Sequence, residues 1–143
     1  MKKLLPVIVI LGALYGGWVH FGGNFVVPLG ATASNEQIAG AFRDHRSGIQ
    51  VVGEGVVSRV LSDDNDGRRH QRFILRLASG QTLLIAHNID LAPRITSLEV
   101  GDTVAFYGVY EWNSKGGVVH WTHHDPRGEH AAGWLKHDSR TYQ

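Results

Sequence analysis

The thirteen residues Val118–His130 read VVHWTHHDPRGEH and hold four of the nine histidines, His120, His123, His124 and His130. Asp125, Glu129 and the indole of Trp121 lie among them. Imidazoles and carboxylates bind divalent metals and move protons near neutral pH. Spacing limits how these can act together. On one extended strand His120 and His124 stand roughly 13 Å apart, at about 3.3 Å per residue. That is too far to share a zinc ion with bonds of about 2 Å. Pro126 and the β-rich Val118–Thr122 argue against a helix that would bring them together. A zinc or manganese site using His120, His123, His124 or Asp125 therefore needs a ligand from elsewhere, with His87, His70 and Glu111 as the candidates.

Other chemistry is less favoured. There is no cysteine, and no serine sits in a Gly-x-Ser-x-Gly elbow. Asp63, Asp64 and Asp66 form an acidic turn with oxygen ligands for a hard cation, although a solvated turn explains them as well. Two-residue alternation puts Arg68, His70, Arg72, Ile74 and Arg76 on one face of a strand, and Phe73, Leu75 and Leu77 on the other. The second set is core; the first is a basic stripe suited to an anion or phosphate. His87, Asn88 and Asp90 end the apolar run that starts at Leu83, so they are either buried with partners or set at a pocket mouth. Arg94 follows closely enough to pair with Asp90. Glu111 lies between the aromatics Tyr110 and Trp112, with Asn113 next. The candidate ligand-binding residues are His70, Arg72, Arg76, Asn88, Asp90, Asn113 and Trp121. The candidates for proton transfer or charge stabilisation are His87, His120, Arg94 and Glu111.

The elements that must position these groups are mostly strands. Ser34 and Gln37 form a capping box that predicts a helix from about Asn35 to Arg46, with Ile38 and Phe42 on one face and Gly48 as the stop. Five strands follow: Ile49–Leu61 with a bend or bulge at Gly53 and Gly55, Arg69–Leu77, Gln81–Ile89, Thr103–Trp112 and Val118–Thr122. Leu91–Leu98 is a connector, Val100-Gly101-Asp102 a tight turn and Asn113–Gly117 a hairpin loop. The tail after Pro126 has few apolar residues and predicts an irregular segment packed back loosely. Three strands, a connector and two more strands, with a glycine-bent first strand, predict a small five- to six-stranded barrel of OB type.

The chain of 143 residues holds one such domain, over 34–143, once the N-terminus is set aside. Lys2 and Lys3 precede an apolar run from Leu4 to Val19, the pattern of a signal peptide or signal anchor over 1–22, followed by a Gly- and Pro-containing linker over 23–33. Counted through Phe25, the run reaches the ~20 residues that span a bilayer. An uncleaved anchor in the inner membrane is the first reading, and a cleaved signal ending at Ala31-Thr32-Ala33 is the alternative. Both send the remainder to the extracytoplasmic, periplasmic side. From Ser34 onward twelve Lys and Arg meet thirteen Asp and Glu, so a general basic nucleic-acid footprint is absent.

Several blocks together carry a resemblance. They are His70-Gln71-Arg72-Phe73-Ile74, the run Leu84 to Arg94, Gly101-Asp102, Tyr110-Glu111-Trp112-Asn113 with Gly116-Gly117, and the run His120 to Pro126. From about Gly53 to Tyr142 the chain resembles a bacterial family filed as domain of unknown function 3465. The resemblance implies a short exported protein with one such domain and brings no activity with it. The residues themselves predict a binding module for an anionic or polymeric ligand, nucleic acid or envelope saccharide, with or without a metal. The alternatives are a metal-dependent phosphodiesterase or nuclease, and a scaffold for an envelope protein.

Overall fold

The computed structural model describes residues 18–21 and 25–143. The expected membrane helix lies outside the described residues up to position 17. Trp18–Phe21 (β1) pairs antiparallel with Phe25–Pro28 (β2). No helix among the described residues is long and apolar enough to cross a membrane.

The helix α1 spans Leu29–Arg43, so it starts inside the stretch expected to be a linker and ends before Arg46. Ser34 lies within it and is not its N-cap. The small residues from Gly30 to Ser34 continue the helix backwards to Pro28, whose missing N–H is tolerated at a helix start. Gln37 donates to the Gln50 carbonyl. The expected inner face is correct: Ile38 and Ala41 are fully buried and Phe42 packs against them.

Five strands close a barrel. They are β3 (Ile49–Val60), β4 (His70–Arg76), β5 (Thr82–Asn88), β6 (Thr103–Glu111) and β7 (Val118–His120). The order around the barrel is β3-β4-β5-β7-β6, and β6 pairs back onto β3. β5 and β7 run parallel; the other pairs are antiparallel. The twelve-residue β3 serves two neighbours, β6 along its first part and β4 along its last. Its register shifts between Val57 and Arg59, beyond the glycines expected to bend it. Gly53 instead makes room for the core, since a Cβ there would stand 2.6 Å from the Phe106 ring that fills the barrel. Alternation works as anticipated on β4, where Phe73 and Leu75 are fully buried.

The two ends of the barrel are closed differently. At one end α1 packs on the core, and the Trp112 indole N–H donates to the Phe42 carbonyl at 3.1 Å. At the other end the connector 89–102 crosses over and buries Ile95 completely. The Gln71 side chain pins it, donating to the Ile95 carbonyl at 2.8 Å and accepting from the Ile95 N–H at 2.9 Å.

The tail is irregular only as far as Gly133. Trp134–His137 (β8) pairs with β6 and turns back into Arg140–Tyr142 (β9) through Asp138 and Ser139, both at positive φ. Leu135 and His137 alternate inward and are buried. His137 Nε2 meets Asp102 at 2.8 Å, which ties this hairpin to the turn before β6. With only four residues in β8, two inward side chains are too few for a sequence signal of a strand.

Candidate functional site

The His-rich stretch divides at Trp121. His120 ends β7, and Trp121 takes φ of 54°, a left-handed conformation rare for a bulky residue. This turns the chain off the strand at the barrel end closed by the connector. The chain then makes a compact turn. Asp125 accepts from the backbone N–H groups of Arg127, Glu129 and His130 at 3.0, 2.9 and 2.8 Å. Those bonds, the Arg127 N–H foremost, hold its carboxyl below the usual carboxylate range. The chain returns at Gly133, whose N–H donates to the His123 carbonyl. A Cβ at Gly133 would fall 1.9 Å from the Trp121 carbonyl oxygen, so only glycine fits the return.

Two adjoining clefts share Arg68, Leu91 and Trp121. The larger, about 550 Å³, adds the 125–130 turn with Arg127, Glu129 and His130. The smaller, about 190 Å³, adds His70, Asn88 and His123. The His130 ring lies flat on the indole of Trp121, with centroids 4.2 Å apart and planes 8° from parallel. The His123 ring tilts against the same indole at 5.3 Å. His123 Nδ1–H donates to the His124 carbonyl at 2.8 Å, and His70 Nδ1–H to the Arg68 carbonyl at 2.8 Å.

Below the clefts, His87 is sealed in. Its Nε2 lies 3.0 Å from the Pro93 carbonyl, which can only accept, so Nε2 carries the proton. Nδ1 then accepts from the Thr122 hydroxyl at 2.8 Å. Burial, reinforced by the nearby His123 and His70, lowers its pKa from 6.5 to about 4, against the opposing pull of the Pro93 carbonyl. His87 is a neutral brace between β5, the connector and the residues after β7.

The structure thus gathers His70, Asn88, Trp121, His123 and Asp125 of the candidate residues. The others lie elsewhere. Arg72 folds back onto the Ser62 carbonyl with two donors. Arg76 lines a separate cleft of about 550 Å³ with Val56 and Val100. Asn113 accepts from Lys115 and Gly117 to hold its own turn. His120 meets Glu111 at 3.3 Å, outside the two Trp121 clefts. His124 is exposed. The expected Asp90–Arg94 pair does not form. Asp90 instead accepts from the Arg69 backbone and side chain, both at 2.8 Å, because β4 and β5 bring their outer ends together. Arg94 makes a two-point pair with Asp63 at 3.0 and 3.1 Å. Among the described residues no three His, Asp or Glu side chains converge as metal ligands.

Sequence reasoning did not single out Leu91, Arg127 or Gln71, and it placed Arg68 only in the basic stripe. Their roles depend on the connector and the 125–133 turn meeting above the barrel, which no local pattern encodes. A search of curated proteins finds no match for the sequence. The model of a family of proteins of unknown function, DUF3465, matches residues 19–143, and the chain belongs to that family.

Proposed function

We propose that this is a membrane-tethered, extracytoplasmic OB-type domain that binds an anionic, polymeric ligand in the Trp121 clefts. The closed order β3-β4-β5-β7-β6 with parallel β5 and β7 supports the OB reading. Lys2, Lys3 and the apolar run behind them support the tether in the inner membrane. Nucleic acid and envelope saccharide are the two ligand classes.

One observation carries the proposal: two adjoining clefts meet at a shared arginine and a shared tryptophan. Arg68 serves both clefts and Arg127 the larger one, so two arginines line the cleft that holds the indole. Asp125 stays ionised, but its carboxylate is engaged by three backbone N–H groups of its own turn. Glu129 is the remaining acid. Concave sites of this volume range, with an aromatic wall and a few polar groups, are the usual form of a ligand pocket.

The test is salt-dependent binding of anionic polymers to the full chain. Arg68→Ala with Arg127→Ala is expected to weaken binding and flatten its salt dependence. Arg72→Ala with Arg76→Ala is expected to leave it unchanged. The reverse pattern would return the site to the outer face of β4. The rival hydrolase reading rests on the His120–Glu111 pair, an imidazole beside a carboxylate. It requires phosphodiester turnover that His120→Ala abolishes with the fold intact.

A further inference from the structure

The His130 ring occupies a place that a flat ligand could fill. It lies 8° from parallel to the Trp121 indole at 4.2 Å, the arrangement of stacked aromatic rings. His130 is exposed; Asp125 accepts a hydrogen bond from its backbone N–H and acts on its ring only electrostatically. The imidazole is therefore free to swing away while the 125–130 turn stays in place. The Trp121 backbone is held more firmly. Its carbonyl is packed against Gly133, and the hydroxyl of the next residue, Thr122, is bonded to the buried His87. A half-buried ring on a fixed backbone, covered by an exposed ring and with Arg68 and Arg127 lining the same cleft, combines a stacking seat with cationic donors.

We propose that the ligand is a nucleotide unit, a planar heteroaromatic ring joined to phosphate. Its base takes the seat of the His130 ring on Trp121, and its phosphate meets Arg68 and Arg127. This rests on the binding function proposed above and narrows it to one ligand class. A saccharide offers no flat π-face to replace the imidazole. A phosphate polymer without rings has no use for the indole. The shared chemistry, base plus phosphate, belongs both to free nucleotides and to single-stranded nucleic acid.

The experiment uses the full chain in detergent, labelled with 5-fluorotryptophan, with the Trp121 resonance identified by Trp121→Phe. Four probes are titrated: thymidine monophosphate, a short thymidine oligonucleotide, the matching abasic oligomer and inorganic polyphosphate. The thymidine oligonucleotide is expected to shift the Trp121 resonance and to bind at least about fivefold tighter than the abasic oligomer, as one stacked base predicts. His130→Ala is expected to tighten the thymidine oligonucleotide about two- to tenfold by emptying the seat, and to leave polyphosphate unchanged. Tight binding of the monophosphate would identify a free nucleotide as the source; binding only of the oligomer would identify a single strand. Equal affinity for thymidine and abasic oligomers, both dependent on Arg68, would overturn the nucleotide inference and leave the anion-binding reading standing. Weaker oligonucleotide binding in His130→Ala would overturn the displacement. Failure of every probe to bind in an Arg68-dependent way would overturn both.

Discussion

Between pH 6.5 and 5 the stability of this domain is expected to fall, with His87 as the main cause. The imidazole is fully buried and its pKa is lowered from 6.5 to about 4. Below pH 6.5 the unfolded chain takes up a proton on this side chain and the folded chain does not. The stabilisation is therefore complete above pH 6.5 and is lost progressively as pH falls toward 4. The gap between 6.5 and about 4 corresponds to roughly 3 kcal/mol when fully developed, and to about 2 kcal/mol by pH 5. Asp90, Asp102 and Asp125 are held low by hydrogen bonds, so their contributions are lost only under stronger acid. The assay is urea unfolding in steps from about pH 7.5 to about pH 5, on the native chain and on His87→Gln. Glutamine keeps an amide donor for the Pro93 carbonyl and does not titrate. The variant will be less stable at every pH, so slopes are compared rather than absolute values. The native chain should lose about 2 kcal/mol more than the variant across that range. Equal slopes would refute the reasoning, because His87 would then charge as easily folded as unfolded and could not be sealed under the connector.

Further expectations concern the parts that hold the clefts together. Gln71→Ala leaves the Ile95 N–H and carbonyl buried without partners and should cost about 2–4 kcal/mol. Amide exchange within 89–102 should accelerate more than exchange in β3, and uniform acceleration would count against a local clamp. Gly133→Ala must displace the Trp121 carbonyl and should lower stability by about 2 kcal/mol or more, read as a drop in melting temperature. Arg94→Ala breaks a partly exposed pair with Asp63 and should cost about 1 kcal/mol or less while leaving ligand affinity intact. A large loss of affinity would restore Arg94 to the site. Asp125→Asn should speed amide exchange at Arg127, Glu129 and His130 and disturb the ring stack on Trp121; unchanged exchange would show that the turn holds without the carboxylate.

Strand composition and period determined most of the barrel. Alternation on β4 fixes which of its side chains point inward whatever lies above them, so Phe73, Leu75 and Leu77 could be assigned to the core in advance. The turns at Gly101-Asp102 and Asn113–Gly117 were legible because their glycines take positive φ. The start of α1 and the strands of the tail were not, since small residues suit several conformations and strands of three or four residues carry too little pattern. The site divided in the same way. Histidines near Trp121 lie at the end of the barrel that carries the proposed site, but partners are set by distance in space rather than in sequence. Asp90 and Arg94 are four residues apart, yet Asp90 is taken by Arg69 across the β4–β5 pair. His87 looks the same in sequence as His70 or His123. Only closure of the connector over it makes it a neutral brace, by removing the water that would solvate its charge. Arg68, Leu91, Trp121 and His130 become neighbours for the same reason: two loops far apart in the chain cover one end of a closed barrel.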